Sequence, residues 1–361
     1  MNARRMRVLR AGLKGWGGVA AMAVVCALAL AFALLLPLTQ SSGAGPATGG
    51  QGVAHGSQAL AEDGPCEKDP RIAKAPETYT LSPSSADGPT IAAIKARVGE
   101  KRKLIVGVDQ NSYRWGYRNP NAEHKGELEG FDIDLVRRIA QDILGDPNAV
   151  QYKAIPTNQR IPAIQDGRVD MVVRTMTINC KRLPDVSFSA PYFKTGQQLL
   201  APISSTISGY GPQDIGKLAK KKICTAEGST AYAKLDDDKT AGKLPATTDI
   251  STTVPNQLDC LVRLQLGEVD AVVTDGALAA SQAAQDPTVQ LKGEPFTTEY
   301  YGVAMNLKAD DLVRRVNQIL ADYRKDTANG WQASYDKWLS ATLGADAKES
   351  APPAPEYLRK S

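Results

Sequence analysis

Four groups of residues in this sequence have the types and spacing to hold a small charged solute. The first is Thr175, Thr177 and Arg182. If the chain is extended through 175–177, alternation points both hydroxyls the same way. Arg182 follows a turn through Asn179 and Cys180, and its planar fork suits a carboxylate. Spacing alone also fits a local cap and a surface arginine. The second group is Ala226–Thr230, AEGST, where a glycine turn before a helix start can aim backbone N–H groups at an anion; Ser229 or Thr230 can equally be an ordinary helix cap. The third is Asp275, which ends an apolar run (AVVTD) where an unpaired buried carboxylate is costly and an ammonium would compensate it. The fourth is the loop Ser112–Pro120, in which Tyr113, Trp115 and Tyr117 can wall a pocket while Arg114 or Arg118 takes a second acidic group, unless the loop is simply packed by its own rings.

None of these groups is equipped for catalysis. The only histidines are His55 and His124, both read as surface residues, and no CxxC or other metal-ligand spacing occurs. Glu227, beside the glycine turn, is the one acid placed to act as a general acid or base. Binding without cofactor or metal is therefore the expected chemistry.

The elements that must position these groups follow from hydrophobic periodicity. LIVGV (Leu104–Val108) reads as a strand. GFDIDLVRRIAQDILG reads as a helix from about Asp132, with Ile133, Val136, Ile139, Ala140 and Ile143 on one face. NQRIPAIQDGRVDMVVRTM gives a helix, a glycine stop and a strand ending at Thr175. CLVRLQLGEVDAVVTDG repeats that build and ends at Asp275. Alternating strands and helices imply α/β units with mostly parallel sheets. The echo between the two segments implies two lobes of similar build, with ligands expected beyond the C-terminal strand ends.

The chain ends are of another character. Arg4, Arg5, Arg7, Arg10 and Lys14 precede Trp16–Leu38, 23 uncharged and mostly apolar residues. That is long enough to span a bilayer, with the basic side in the cytoplasm and the remainder outside. An uncleaved anchor is the favoured reading and a long cleaved signal the alternative. The formal net charge of +4 comes from this basic start; the remainder is at −1, which argues against nucleic-acid binding. Residues 39–64 read as a Gly/Ser/Ala-rich linker, 65–98 as an N-terminal strap and 341–361 as a loose tail. Outside the apolar segment, which holds Cys26, lie Cys66, Cys180, Cys224 and Cys260. An even number in an exported protein suits two disulfides, with three pairings open.

Together LIVGVD, GFDIDLVRRIA, IPAIQDGRVDMVVRTMTINCKRLPDVSFSAPYF, CTAEGST and LQLGEVDAVVTDGAL resemble the extracellular solute-binding proteins of family 3, the polar amino-acid receptors of ABC transporters, over roughly residues 99–340. Cys224 and Cys260 lean towards the actinobacterial glutamate-binding branch. The resemblance implies a periplasmic-binding-protein-like α/β fold with two α/β lobes joined by two hinge strands: lobe 1 at 99–197 and 297–340, lobe 2 at 198–296. It also implies pairing of Cys224 with Cys260 inside lobe 2 and of Cys66 with Cys180, pinning the strap to lobe 1. By the same resemblance Thr175, Thr177, Arg182, Ser229 and Thr230 cradle the ligand α-carboxylate, and Asp275 takes its ammonium. Tyr113, Arg114 and Arg118 are the expected side-chain contacts for glutamate. In many relatives a second acid follows the position of Asp275, whereas Gly276 follows here. The expected partners are a free amino acid and an ABC permease, or a membrane sensor in the alternative reading; a small-acid dehydratase or lyase on the same fold is the remote one. A monomeric ectodomain on the extracytoplasmic face is the default.

Overall fold

The computed structural model describes residues 64–121 and 126–360. The basic start (1–15), the apolar segment (16–38), all but the last residue of the expected linker and both histidines lie outside the described residues. Among those described, no helix is long and apolar enough to cross a membrane.

The strap opens with two short helices, α1 (Pro65–Lys68) and α2 (Pro70–Lys74). Each starts on a proline, whose missing N–H is not needed in a first turn, and Asp69 caps α2 by accepting from Arg71 N at 2.9 Å. A third helix, α3 (Pro89–Lys95), leads into β1 (Leu104–Val108). Next come three short strands that form a small antiparallel sheet, β2 (Asn111–Ser112), β3 (Gly116–Arg118) and β4 (Leu128–Glu129). Helix α4 (Phe131–Leu144) buries Ile133, Val136, Ile139, Ala140 and Ile143, as its periodicity predicts, and stops at Gly145, whose φ of 77° suits glycine. Lobe 1 continues through β5 (Val150–Ala154), α5 (Arg160–Gln165), β6 (Met171–Val172) and β7 (Ser187–Phe188).

Strand β8 (Phe193–Thr195) then leaves lobe 1. Lobe 2 holds β9 (Gln197–Pro202), β10 (Ile223–Ala226), α6 (Thr230–Thr240), β11 (Thr253–Val254), α7 (Gln257–Gln265), β12 (Ala271–Asp275), α8 (Gly276–Ala283) and β13 (Val289–Lys292). The chain returns on β14 (Glu299–Tyr301), antiparallel to β8. These two strands are the hinge. β15 (Ala304–Met305), α9 (Asp310–Lys325) and α10 (Trp331–Trp338) complete lobe 1.

The two sheets have matching orders, β5-β1-β6-β15-β7 and β11-β10-β12-β9-β13. In each, the first three strands are parallel, the fourth runs antiparallel to them and the fifth antiparallel to the fourth. The fold is periplasmic-binding-protein-like: two α/β lobes joined by hinge strands. The sequence echo has a physical cause. Gly167 (φ 66°) and Gly267 (φ 71°) end the helices. The aspartates that follow then cap the start of a neighbouring strand: Asp170 accepts from Ile105 N at 2.8 Å, and Asp270 from Lys222 N at 2.8 Å. The same side chain closes the equivalent backbone group in both lobes.

Both disulfides are present, Cys66–Cys180 between strap and lobe 1 and Cys224–Cys260 within lobe 2. The expected loose tail needs correction, because its backbone supplies partners to groups otherwise left open. Lys194 N donates to Ser350 O at 2.9 Å, Leu358 N to Thr78 O at 3.0 Å and Arg359 N to Thr80 O at 3.1 Å. The Arg359 guanidinium reaches Ser187 Oγ and Asp310 Oδ1 at 2.8 and 2.7 Å. Tail and strap thus bind each other beside the edge strand β7, which covers a sheet edge.

One buried amide holds the strap to lobe 1. Asn317 on α9 is fully buried; its Nδ2 donates to Thr80 Oγ1 (2.9 Å) and Leu81 O (2.6 Å), and its Oδ1 accepts from Ala190 N (2.7 Å). Asn317→Ala leaves buried polar groups without partners and is expected to lower the unfolding free energy by about 2–4 kcal/mol. A fall in the urea midpoint at unchanged slope is the readout; an unmoved midpoint would show that the strap does not depend on this amide.

Candidate functional site

The C-terminal ends of β6 and β12 face each other across the cleft between the lobes. The cleft is lined by Arg160, Thr175, Thr177 and Arg182 from lobe 1, and by Ser229, Thr230, Ala231, Gln257, Thr274 and Asp275 from lobe 2. The lobes leave only about 10 Å³ of free space there, enough for a single water, so a small solute can enter only when the lobes part.

Arg182 is buried and bridges the lobes. Its Nη1 donates to Thr177 O at 2.6 Å and its Nη2 to Gly228 O, in lobe 2, at 3.2 Å. A turn presents it: the Arg182 N–H donates to both the carbonyl and the side-chain oxygen of Asn179 at 3.1 Å. Burial pushes its pKa down from the usual guanidinium value, with partial compensation from the charges of Glu299 and Asp275. Gly228 is required by conformation and by space. Its φ is 72°, and a Cβ there would lie 3.0 Å from Asn158 Cα of lobe 1. Ser229 caps α6, its Oγ accepting from Tyr232 N at 3.1 Å, so the hydroxyl closes the helix while lining the cleft.

Thr175 has a φ of 40°, rare for a β-branched residue and a local strain of about 1–3 kcal/mol. Asp132, at the start of α4, holds it there, accepting from Thr175 N at 3.2 Å and from Tyr192 Oη at 2.9 Å. Burial pushes the Asp132 carboxyl up to about 7, against these two donors.

Asp275 faces them from lobe 2. Tyr301 of the hinge donates to its Oδ2 at 2.6 Å. Burial and the nearby Glu299 push this carboxyl up to about 7, while the Tyr301 hydroxyl, Arg160 and Arg182 pull it down. Glu299 accepts from Gln197 Nε2 (2.9 Å) and Thr297 Oγ1 (3.0 Å) through Oε1, and its Oε2 is buried with no hydrogen-bond partner.

Thr175, Thr177, Arg182, Ser229, Thr230 and Asp275 thus meet at one cleft. Tyr113, Arg114 and Arg118 are not among the residues that line it. The small sheet folds their segment outward against the C-terminal helices. Arg114 Nη1 donates to Trp338 O at 3.0 Å, with its guanidinium 5.2 Å from the Tyr113 ring. Tyr113 packs edge-on against Tyr117. Arg118 is exposed and donates to Gln110 Oε1 and Gly126 O. Trp115 is fully buried against Phe131, Phe193 and Tyr301, a core residue rather than a pocket wall.

The sequence reading missed two arginines. Arg160 lines the cleft, is 3% exposed, and donates to the carbonyls of Thr157 and Arg174 at 3.0 and 3.2 Å; among the described residues it has no carboxylate partner. Arg174 is wholly buried. It pairs with Asp109 at 2.8 Å and donates to Thr157 Oγ1 in its own lobe and to Asn256 Oδ1 in the other, both at 3.0 Å. A charged residue inside an otherwise apolar helix or strand run (QRIPAI, MVVRT) was the available signal for both.

Comparison with known proteins agrees with this architecture. Residues 104–341 match the bacterial extracellular solute-binding proteins, family 3. The ABC transporter glutamine-binding protein GlnH of Bacillus subtilis is 34% identical over 250 residues, covering 69% of this chain and 84% of that protein. The glutamate-binding protein GluB of Corynebacterium glutamicum is 30% identical, covering 69% and 81%. Among solved structures, the solute receptor for L-cysteine of Neisseria gonorrhoeae superposes with a TM-score of 0.64 at 24% identity, covering 73% of this chain and all of that one, which shows the shared fold. With the family match spanning most of the chain and a relative above 30% identity across both lobes, this chain belongs to the bacterial extracellular solute-binding proteins of family 3.

Proposed function

We propose that this chain captures free glutamate by closing its two lobes, at the extracytoplasmic face of the membrane, and hands it to an ABC importer. The charge balance of the cleft carries the reading. Two buried guanidiniums, Arg160 and Arg182, line it against one lining carboxylate, Asp275, whose ionisation is already hindered by burial and by the nearby Glu299. Buried charge demands compensation, and an α-amino acid with a second carboxylate brings one net negative charge with both signs correctly placed.

In this reading Arg182, Thr175 and Thr177 receive the α-carboxylate, aided by the turn at Ser229 and Thr230, and Asp275 receives the ammonium. Arg160 takes the side-chain carboxylate, the task first expected of Arg114 or Arg118. Ligand contacts from both sides favour the closed over the open state, which is what closure by population shift requires. Delivery to an importer follows the family and the relative named as an ABC transporter component. The relatives include both glutamine- and glutamate-binding proteins, so the choice between these ligands rests on the cleft charges. Tethering by the 16–38 segment and a monomeric ectodomain complete the proposal.

Calorimetric titration with glutamate, glutamine, aspartate, arginine and histidine is the test. Glutamate should bind most tightly. Arg182→Ala and Asp275→Asn should each weaken it by roughly 10- to 100-fold, as expected for a charged hydrogen bond worth about 1.5–3 kcal/mol. Arg160→Gln should lower the glutamate-to-glutamine affinity ratio by about tenfold or more. Tighter glutamine binding by the unaltered protein would sink the glutamate assignment while keeping amino-acid capture; no heat with any amino acid would sink both.

The raised pKa of the Asp275 carboxyl adds a pH signature. A ligand ammonium favours the ionised carboxylate, so binding near pH 7 should release a proton. Affinity should be level well above pH 7 and fall by up to about tenfold per unit as pH drops below it. Titrations at pH 5.5, 7 and 8.5 read this out, and a flat profile would remove Asp275 as the ammonium partner.

A further inference from the structure

The strap lies outside the span that matches the family, which begins at residue 104, yet it reaches the ligand cradle. Cys180 stands between the two cradle residues Thr177 and Arg182, and it is bonded to Cys66 at the start of the strap. The cradle segment has two faces. Thr175 and Thr177 line the cleft, while Met176 and Ile178, between and beyond them, are buried in a cluster with Cys66, Ile72, Leu183, Val186 and Phe188, against which Cys180 packs. Cys66 and Ile72 come from the strap helices. The strap therefore forms part of the floor under a segment whose upper surface is the site.

Arg182 depends on this floor through the turn that carries it. Its own N–H is held by Asn179, the residue before Cys180, and its guanidinium must reach both Thr177 O and Gly228 O. Lys181 beside it is exposed and pairs at 3.3 Å only with the exposed Asp237 across the cleft, a contact worth little. The covalent tie at residue 180 is the strong constraint on residues 179–182.

We propose that the Cys66–Cys180 bridge, with the strap it anchors, is a positioning element of the ligand site: it fixes the 179–182 turn and so the Arg182 guanidinium, making ligand affinity depend on the oxidised bridge. The inference rests on the reading of Arg182 as the α-carboxylate partner. Two-electron, two-proton reduction of the bridge by an external thiol or phosphine would free the turn from the strap and weaken ligand binding without touching any residue that lines the cleft. The second bridge is a natural control. Cys224 and Cys260 are both fully buried, in a lobe 2 cluster none of whose members lines the cleft.

The test is titration of the full chain with glutamate and glutamine, well below the unfolding temperature, for the unaltered protein, Cys66→Ala/Cys180→Ala, Cys224→Ala/Cys260→Ala and Arg182→Lys, plus the first pair combined with Arg182→Lys. Losing the Cys66–Cys180 bridge should weaken binding about tenfold or more, and losing the other bridge less than about twofold. In the Arg182→Lys background, removing Cys66–Cys180 should cost less than about twofold further, a non-additivity that a general loss of stability would not produce. If the double variant does not fold, mild reduction and alkylation of the folded protein, with mass spectrometry to confirm that only the Cys66–Cys180 pair, whose Cys180 is partly exposed, has opened, gives the same comparison. Unchanged affinity on losing the bridge, or a loss fully additive with Arg182→Lys, overturns the inference while leaving the receptor reading intact. Binding of neither amino acid by the unaltered protein would overturn both.

Discussion

A guanidinium buried between two lobes governs this structure. Arg182 has lost its water, and its donors are met by one carbonyl from each lobe, Thr177 O and Gly228 O. Burying an unpaired cation costs several kcal/mol even after relaxation, and carbonyl dipoles offset that only in part. Arg160, a second cation without a carboxylate partner among the described residues, adds repulsion at short range: each guanidinium disfavours the other's charge. Such an arrangement is stable enough to fold because the acids of the hinge region, Asp275 and Glu299, lie close by. It still favours an anion in the cleft. In the proposed reading closure and anion capture would be one event, since only the closed lobes can surround an anion with donors from both sides.

The fold's less ordinary features serve that cleft. Thr175 is held at a positive φ because Asp132 and Tyr192 fix its backbone from below. Gly228 lets lobe 2 approach the backbone of Asn158 closely. Arg174 ties Asp109 and Thr157 to Asn256 across the lobes, a buried polar link that can form only when the lobes meet. Backbone strain at Thr175, close approach at Gly228 and the cross-lobe bond of Arg174 thus come together at the cleft, as expected for sites that give up local stability for function.

Much of this was legible in the sequence. Periodicity marked α4 to within a residue of its start, and the repeated Gly-x-Val-Asp pattern marked two lobes because Asp170 and Asp270 do the same capping work. Cleft residues at strand ends followed from the general rule for open α/β sheets. The failures share a physical cause. Arg114 and Arg118 have the right chemistry and sit after the right strand, but their direction is set by a three-stranded sheet too short for pattern reading and by a left-handed turn at Arg114 itself (φ 67°). Arg160 and Arg174 were passed over because the apolar residues around them read as core, and only tertiary structure shows that this core borders a cleft. The tail looked loose because its partners are backbone groups of the strap, more than 270 residues earlier in the chain, and such pairing leaves little trace in side-chain pattern.

The hinge ties recognition to motion. Asp275 ends a lobe 2 strand, yet its hydrogen-bond donor, Tyr301, belongs to hinge strand β14, as does Glu299. Glu299 in turn is held by Gln197, at the point where the other hinge strand passes into lobe 2. A ligand ammonium at Asp275 would therefore change the charge state of a group bonded directly to the hinge. With Asp275 protonated, Tyr301 donates to a neutral acid and Glu299 meets no repulsion. With Asp275 ionised and no cation present, two buried carboxylates oppose each other beside the hinge. An ammonium removes that penalty in the closed state, where it can reach Asp275 while the α-carboxylate reaches Arg182. In the proposed reading the two ends of an amino acid are sensed by different lobes, and only a molecule that carries both charges at the right separation would relieve both buried groups at once. A simple anion would satisfy Arg182 and leave Asp275 without a cation, which is a physical reason for a cleft of this design to prefer amino acids over small acids.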